Sequence, residues 1–183
     1  MTELLPQAYL IGLIVLLAGA SVVVTRQILR VRRDELTLAN FGGEGKNRAR
    51  PQDSSESYEL ASVQLRKRFY GQASDNLKKA LRQAEAEKAP AEARALIENA
   101  LGFAQAAQNN YASAIRHYRS AIRAKGDYPV ALNNLAFALD KQGKSDEARS
   151  TYQQALDLDP GNQTATKGLK TLDRRSGLPG KVA

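Results

Sequence analysis

The sequence predicts an all-α protein: an N-terminal single transmembrane helix, then a solenoid of helix-turn-helix units closed by a C-terminal capping helix. Three observations predict it. The stretch 4–25 carries no charged side chain, while a quarter of the 183-residue chain is charged. Alanine is abundant, tryptophan is absent and glycine and proline are sparse, a balance that favours helix. The shift that lays Leu101 on Leu135 also lays Phe103 on Phe137, Ala114 on Ala148, Tyr118 on Tyr152 and Ala121 on Ala155.

The first element is a transmembrane anchor over residues 1–25. More than half of the side chains from Leu4 to Thr25 are Leu, Ile or Val. A hydrocarbon core of about 30 Å needs about 20 helical residues, so the stretch is long enough to span it. Each of these side chains favours insertion by about 0.3–0.6 kcal/mol, with no charge to oppose them. A cleaved signal peptide competes with this reading, because Ala18-Gly19-Ala20 offers a small-x-small site. Such a peptide needs a basic segment before its apolar core, and here the only early charge is Glu3. The positive charges follow the segment instead. Over residues 26–50, Arg26, Arg30, Arg32, Arg33, Lys46, Arg48 and Arg50 face only Asp34, Glu35 and Glu44. By the positive-inside rule the N-terminus is outside or lumenal, and the soluble part is cytoplasmic or stromal.

Residues 26–40 are expected to form a basic juxtamembrane helix. Arg26, Arg30, Arg32 and Arg33 would lie at the membrane surface, either as topology determinants alone or in contact with anionic lipid headgroups. Residues 41–55, with Gly42, Gly43, Gly45, Pro51 and two serines, read as a flexible tether. A degenerate helix pair follows over 56–94. Its first helix spans Tyr58–Tyr70, with Tyr58, Ala61, Leu65 and Phe69 on one face; its second spans Ser74–Lys88, and the pair turns around Gly71-Gln72. Ala80-Leu81 stands further ahead of Ala121-Ile122 than Ala121 stands ahead of Ala155, so a longer second helix or connection is expected.

Residues 95–128 and 129–162 are two regular units. In the later one, Leu132, Leu135 and Leu139 share a helical face. Gly143 ends the first helix, as a residue tolerant of the left-handed conformation can. Ser145 is placed to cap the second helix ahead of Asp146 and Glu147, whose charges suit a helix N-terminus. Ala148, Tyr152, Ala155 and Leu156 then face the first helix. Residues 163–175 are mostly polar apart from Ala165, Leu169 and Leu172, as a capping helix that covers core on one side should be. Residues 176–183 are a tail.

Leu135/Ala136, Gly143, Ala148, Tyr152, Ala155 and Pro160, with Leu101/Gly102, Tyr111, Ala114, Tyr118 and Ala121 one unit earlier, resemble the tetratricopeptide repeat (TPR) family. The earlier unit departs from the pattern mildly, with Asn109 in place of Gly and Gly126 in place of Pro. The resemblance implies a concave partner-binding groove lined by Leu96, Asn99, Phe103 and Ala106 from one unit. Val130, Asn133, Phe137 and Lys141 line it from the next, and Lys167 from the cap. TPRs that clamp the C-terminal carboxylate of chaperones carry Lys and Asn where Asn99 and Phe103 stand, so that clamp is not implied. Phe103 and Phe137 instead offer an apolar shelf, and Asn99 and Asn133 hydrogen bonds to a peptide backbone. Ordinary packing between units is the competing reading of the two phenylalanines.

The whole layout resembles a narrower group. Leu5-Pro6-x-x-Tyr9-Leu10 ahead of the anchor core and Arg26-Gln-Ile-Leu-Arg-Val-Arg32 after it are similar to the cyanobacterial and plastid-encoded thylakoid TPR proteins implicated in photosystem I assembly. The resemblance implies a thylakoid scaffold whose protein partners are photosystem I subunits or other assembly factors. A general membrane-tethered adaptor for a secretion or cell-envelope complex is the alternative. A peripheral regulator bound to anionic lipid through Arg26–Arg33 is another.

Other functions find no residues. There is no cysteine, hence no disulfide framework or thiolate metal site. The single histidine, His117, precedes the core Tyr118 and is expected to point to solvent without a second ligand. Gly42-Gly43-Glu44-Gly45 follows no strand and is not a nucleotide loop. No nucleophile elbow or carboxylate pair occurs, so the chain is not expected to be an enzyme or to hold a cofactor or metal. Nucleic-acid binding is not expected either, since the basic excess is juxtamembrane and not interleaved with aromatics. Arg174 and Arg175 read as basic residues ending the cap, with a small anion site as the competing reading.

Overall fold

A computed structural model describes residues 4–41 and 53–176, and the chain divides into two compact units near residue 50. The first unit is one helix, α1 (Leu4–Phe41), of 38 residues. At 1.5 Å per residue it is about 57 Å long. The apolar stretch and the arginine segment are thus one uninterrupted rod. The part from Tyr9 onward is long and apolar enough to cross a membrane, and the apolar stretch is not buried inside the protein. The expected tether lies mostly outside the described residues, as does the tail beyond Ser176. Where described, the tether's end is corrected: Asp53 caps a helix and Ser54 and Ser55 open it.

The second unit contains α2 (Ser54–Arg66), α3 (Tyr70–Ala86), α4 (Ala91–Ala107), α5 (Tyr111–Ala124), α6 (Pro129–Lys141), α7 (Ser145–Leu158) and α8 (Gln163–Ser176). Consecutive helices pack against each other along the whole series. In addition α2 comes close to α4, α4 to α6 and α6 to α8, whereas the backbones of α3, α5 and α7 stand further apart. The first helices of the hairpins therefore form an inner, closely spaced layer, and the second helices an outer, splayed one.

The periodic alanines explain the hairpin geometry. Ala114, Tyr118 and Ala121 on α5, and Ala148, Tyr152 and Ala155 on α7, are all buried. Each Ala lets a backbone approach closely, and each tyrosine fills the gap left between. In α3 the equivalent positions are Ala73, Leu77 and Ala80, all fully buried. The first pair is thus a full unit with leucine in the aromatic slot. Its longer offset from the next unit has a definite origin. Helices α3 and α4 each have 17 residues, against 14 in α5 and 13 in α6. The extra length lies at the end of α3 and the start of α4, while the connection between them is no longer than that between α5 and α6. Accordingly α4 begins at Ala91, ahead of the unit boundary expected at Ala95.

Two sequence expectations about turns fail for one reason. The first pair turns at Lys67–Phe69, not at Gly71-Gln72, and Gly71 sits inside α3 with open space around it. Phe69 precedes α3 and is half exposed rather than buried. The turn is made by Arg68, whose φ of 64° places it in the left-handed region, as do 61° at Asn109 and 78° at Gly143. Each turn closes with the same bonds: Phe69 donates to the Gln64 carbonyl, Asn110 to Gln105 and Lys144 to Leu139. This is a Schellman ending, and the backbone bonds hold it even where the residue is not glycine. The other misplacement is Ser145, which is the first residue of α7. Its cap position is Lys144, without a side-chain cap bond, whereas Asn110 does cap α5 by accepting from the Ser113 amide.

The left-handed turns make a prediction. A non-glycine residue there is strained by about 1–2 kcal/mol, so Arg68→Gly should raise the thermal midpoint by a few degrees, and Gly143→Ala should lower it by a similar amount. Equal midpoints in a melting curve would refute it. A second prediction concerns pH. Burial pushes the Tyr118 phenol far above its ordinary value. Burial also raises Tyr152, as does the nearby Asp140 charge, while Arg175 works the other way. In the unfolded chain both tyrosines titrate near pH 10. The unfolded state therefore loses their protons first, and stability present below about pH 10 is lost as pH rises above it. The urea midpoint should fall there, and less steeply in Tyr118→Phe; an identical fall in that variant would contradict the assignment.

Candidate functional site

The inner layer presents the expected groove residues on α4, α6 and α8. Leu96, Asn99, Phe103 and Ala106 recur along α4 at spacings of three and four, and Val130, Asn133, Phe137 and Lys141 do so along α6. Lys167 stands exposed on α8. Phe103 is 45 % and Phe137 46 % exposed, and Leu96 and Val130 are similarly open. Neighbouring apolar residues of the same helices, such as Leu101 and Leu139, are almost wholly buried. Ala106 is half buried against the core around Tyr118.

The two phenylalanines differ in surroundings. Phe103 meets the Tyr70 ring edge-on, with centroids 6.4 Å apart and planes at 72°. One side of that ring serves packing between units, and the rest is open. Phe137 has no such aromatic contact among the described residues; the Lys141 ammonium lies 5.4 Å from its centroid. A cation at that distance is held by the ring quadrupole, and the contact is weak enough to be displaced.

The asparagines are less free than the sequence suggests. The Asn134 amide donates to the Asn99 oxygen at 3.0 Å, and Asn99 also bonds Tyr128, whose phenol burial pushes upward. The Asn133 amide donates at 3.0 Å to the Asn162 oxygen, which also accepts from the Ala165 amide at the start of α8. Both side chains thus staple one unit to the next. The Asn133 oxygen keeps a remaining function, since it is buried without a partner among the described residues. Tyr70 and Tyr128 escape the sequence reading. The longer shift that lays Ala80 on Ala121 also lays Tyr70 on Tyr111, and that is the signal that would have found the first.

Two further expectations are corrected. His117 does not simply face solvent: its Nδ1 lies 2.7 Å from the Glu98 carboxylate of α4, and both side chains are largely covered. The histidine follows the buried edge of α5 closely enough to reach across to α4. Arg175 is not a free helix-end charge, since it pairs with Asp140 of α6 at 2.5 Å. Arg149 of α7 likewise pairs with Asp173. The polar cap is thus held partly by ions. Among the described residues no group of three or more His, Asp or Glu could hold a metal ion.

Comparison with known proteins places the chain. A tetratricopeptide-repeat family profile matches residues 105–172. The ycf37 protein of Guillardia theta is 31 % identical over 175 residues, which cover 96 % of both chains. The chain belongs to the ycf37 family of TPR proteins. The ycf37 protein of Cyanophora paradoxa is 34 % identical over 114 residues, 62 % of this chain and 64 % of that one. The chloroplastic TPR protein PYG7 of Arabidopsis thaliana is 30 % identical over 158 residues, which are 86 % of this chain but 51 % of the longer relative. The chain therefore spans about two thirds and about half of these two relatives' lengths. Among solved structures, the first TPR domain of Spaghetti (RPAP3) bound to an HSP90 peptide shares the fold, with a TM-score of 0.62 and 20 % identity. That match covers 69 % of this chain and 94 % of the other. MamA also has a TM-score of 0.62, at 19 % identity, over 81 % of this chain and 77 % of its own. The family member described here is thus an all-helical TPR solenoid with a long apolar N-terminal helix, of a fold that typically mediates protein interactions.

Proposed function

We propose that this ycf37-family protein is a membrane-anchored TPR scaffold that holds protein segments during the assembly or stabilisation of photosystem I. The observation that carries this reading is the exposed pair Phe103 and Phe137 at equivalent positions of the inner layer. Two half-exposed aromatic rings on one layer suit the anchors of a binding hot spot. The α1 helix confines the solenoid to a membrane plane, which raises its effective concentration near membrane-bound subunits. Photosystem I enters through the likeness of the anchor region and layout to the thylakoid group, and the chloroplastic relative is consistent with it. Leu96, Asn99, Phe103, Ala106, Val130, Asn133, Phe137, Lys141 and Lys167 would line the grip. Arg26, Arg30, Arg32 and Arg33 would hold the anchor's inner end at anionic headgroups.

Affinity purification of the tagged full chain from native thylakoid membranes tests the reading. Recovery of photosystem I subunits is expected, and recovery of secretion or envelope components in their place would sink it. Topology has its own test, made simple by the absence of cysteine. A single Ser55→Cys, at an exposed position on α2, should react with an impermeant maleimide only once the membrane is opened. The vesicles are sealed with their lumenal face outward, and reaction in them before opening would place the solenoid on the opposite side.

A further inference from the structure

The outer layer carries a feature that partner binding in the groove does not use. Helix α5 contains Arg116, Arg119 and Arg123 and no carboxylate. Their spacings of three and four put them on one face, opposite the buried Ala114, Tyr118 and Ala121. All three are exposed. Among the described residues, Arg116 and Arg123 donate only to the hydroxyls of Ser113 and Ser120 on their own helix, at 3.4 and 2.9 Å. Arg119 pairs with Glu147 of α7 at 2.9 Å, with both side chains about half exposed. In α3, the preceding helix of the same layer, the exposed Lys78 and Arg82 share their face with the exposed Asp75 and Glu85, and Lys78 contacts Asp75 at 3.5 Å. Helix α7 is the reverse. It exposes Asp146, Glu147 and Asp157, and its one arginine is turned toward Asp173. Positive charge in the outer layer is therefore gathered on α5.

We infer that this outer face of α5 docks onto an anionic lipid surface. The solvent-facing positions of α5 are Ala112, Arg116, Arg119 and Arg123. None is aromatic or large and apolar, whereas the core of a protein interface is enriched in such residues and depleted of charge. A headgroup layer asks only for cations at its surface, each contributing additively and falling off within a Debye length. The inference rests on the membrane-anchored reading above, under which anionic headgroups are the nearest and most concentrated anions to this face. Docking by the outer layer would leave the inner layer, with Phe103 and Phe137, facing the aqueous phase.

The test uses the full chain reconstituted into vesicles of phosphatidylcholine, alone or with roughly one part in four phosphatidylglycerol. A fluorophore is attached through Ala112→Cys on α5 or, as control, through Thr171→Cys on the inner-layer helix α8. A headgroup-spin-labelled lipid reports proximity by quenching. Quenching at position 112 should be severalfold stronger in the anionic vesicles, with position 171 unchanged. It should vanish in about 0.5 M salt, where screening is short-ranged, and in the triple variant Arg116→Gln, Arg119→Gln, Arg123→Gln. These residues are on the surface, and unchanged circular dichroism would show the variant folded. Equal quenching in both lipids, equal quenching at both positions, or full quenching in the triple variant overturns the inference. So does a triple variant that keeps its lipid signal while losing a co-purifying protein. Failure of the chain to float with neutral vesicles would overturn the anchoring reading instead. In that case, salt-sensitive flotation with anionic vesicles, lost in the triple variant, still decides the role of α5.

Discussion

Tyr118→Ala is expected to cost about 3–5 kcal/mol, a large part of the stability of a single domain. The ring is 2 % exposed and lies directly over Gly102 of α4, where an added Cβ would come within 2.6 Å of the tyrosine Cε1. It also belongs to the core shared with Leu132 and Leu135 of α6. Removing it opens a cavity at the joint between two units, and in a solenoid that joint carries the coupling between neighbours. The thermal midpoint should fall by about 10 °C or more, with a broader transition as the halves uncouple. Tyr118→Leu should retain much of the stability, because Leu77 fills the equivalent slot between α2 and α3. A far-UV melting curve for Tyr118→Ala within a couple of degrees of the parent would show that the joint is not where the solenoid is held.

Phe137→Ala is expected to weaken partner capture by about 30-fold while leaving helix content and melting behaviour nearly unchanged. An exposed aromatic anchor contributes about 2 kcal/mol or more to an interface it centres, which converts to that factor. The ring is nearly half exposed and the Lys141 ammonium rests against its face, so its removal leaves no core cavity. Phe103→Ala separates the two roles. Its contact with Tyr70 predicts a loss of stability as well as of binding. Full recovery of partner by Phe137→Ala in a pull-down sinks the shelf. A large drop in its melting temperature would mark it as a packing residue instead.

Much of the fold was legible because it is periodic. A single repeat shift found the Ala, Tyr and Ala of α5 and α7, since only small and aromatic residues alternating at those spacings let two helices touch. The first unit was harder to read because leucine replaces the tyrosine and both helices of the α3–α4 hairpin are longer than their counterparts. Its turn has no glycine to mark it. Arg68 adopts the left-handed conformation without being glycine, held by backbone hydrogen bonds that leave no mark on side-chain choice. The groove positions were legible as a register, and their environments were not. Whether Asn99 and Asn133 are free depended on Asn134 and Asn162, one unit away.

The apolar helix that opens the chain and the repeat that follows it were determined by the sequence alone. Hydropathy along one helix and the spacing of residues along another are local properties, written residue by residue. Only the tertiary structure decided how the charges of the second unit are spent. His117 finds Glu98, and Arg175 and Arg149 fasten the cap to α6 and α7, while Arg116 and Arg123 are left with neutral hydroxyls. A long charged side chain reaches across to whichever helix stands nearby, and which helix stands nearby is set by packing rather than by the order of residues.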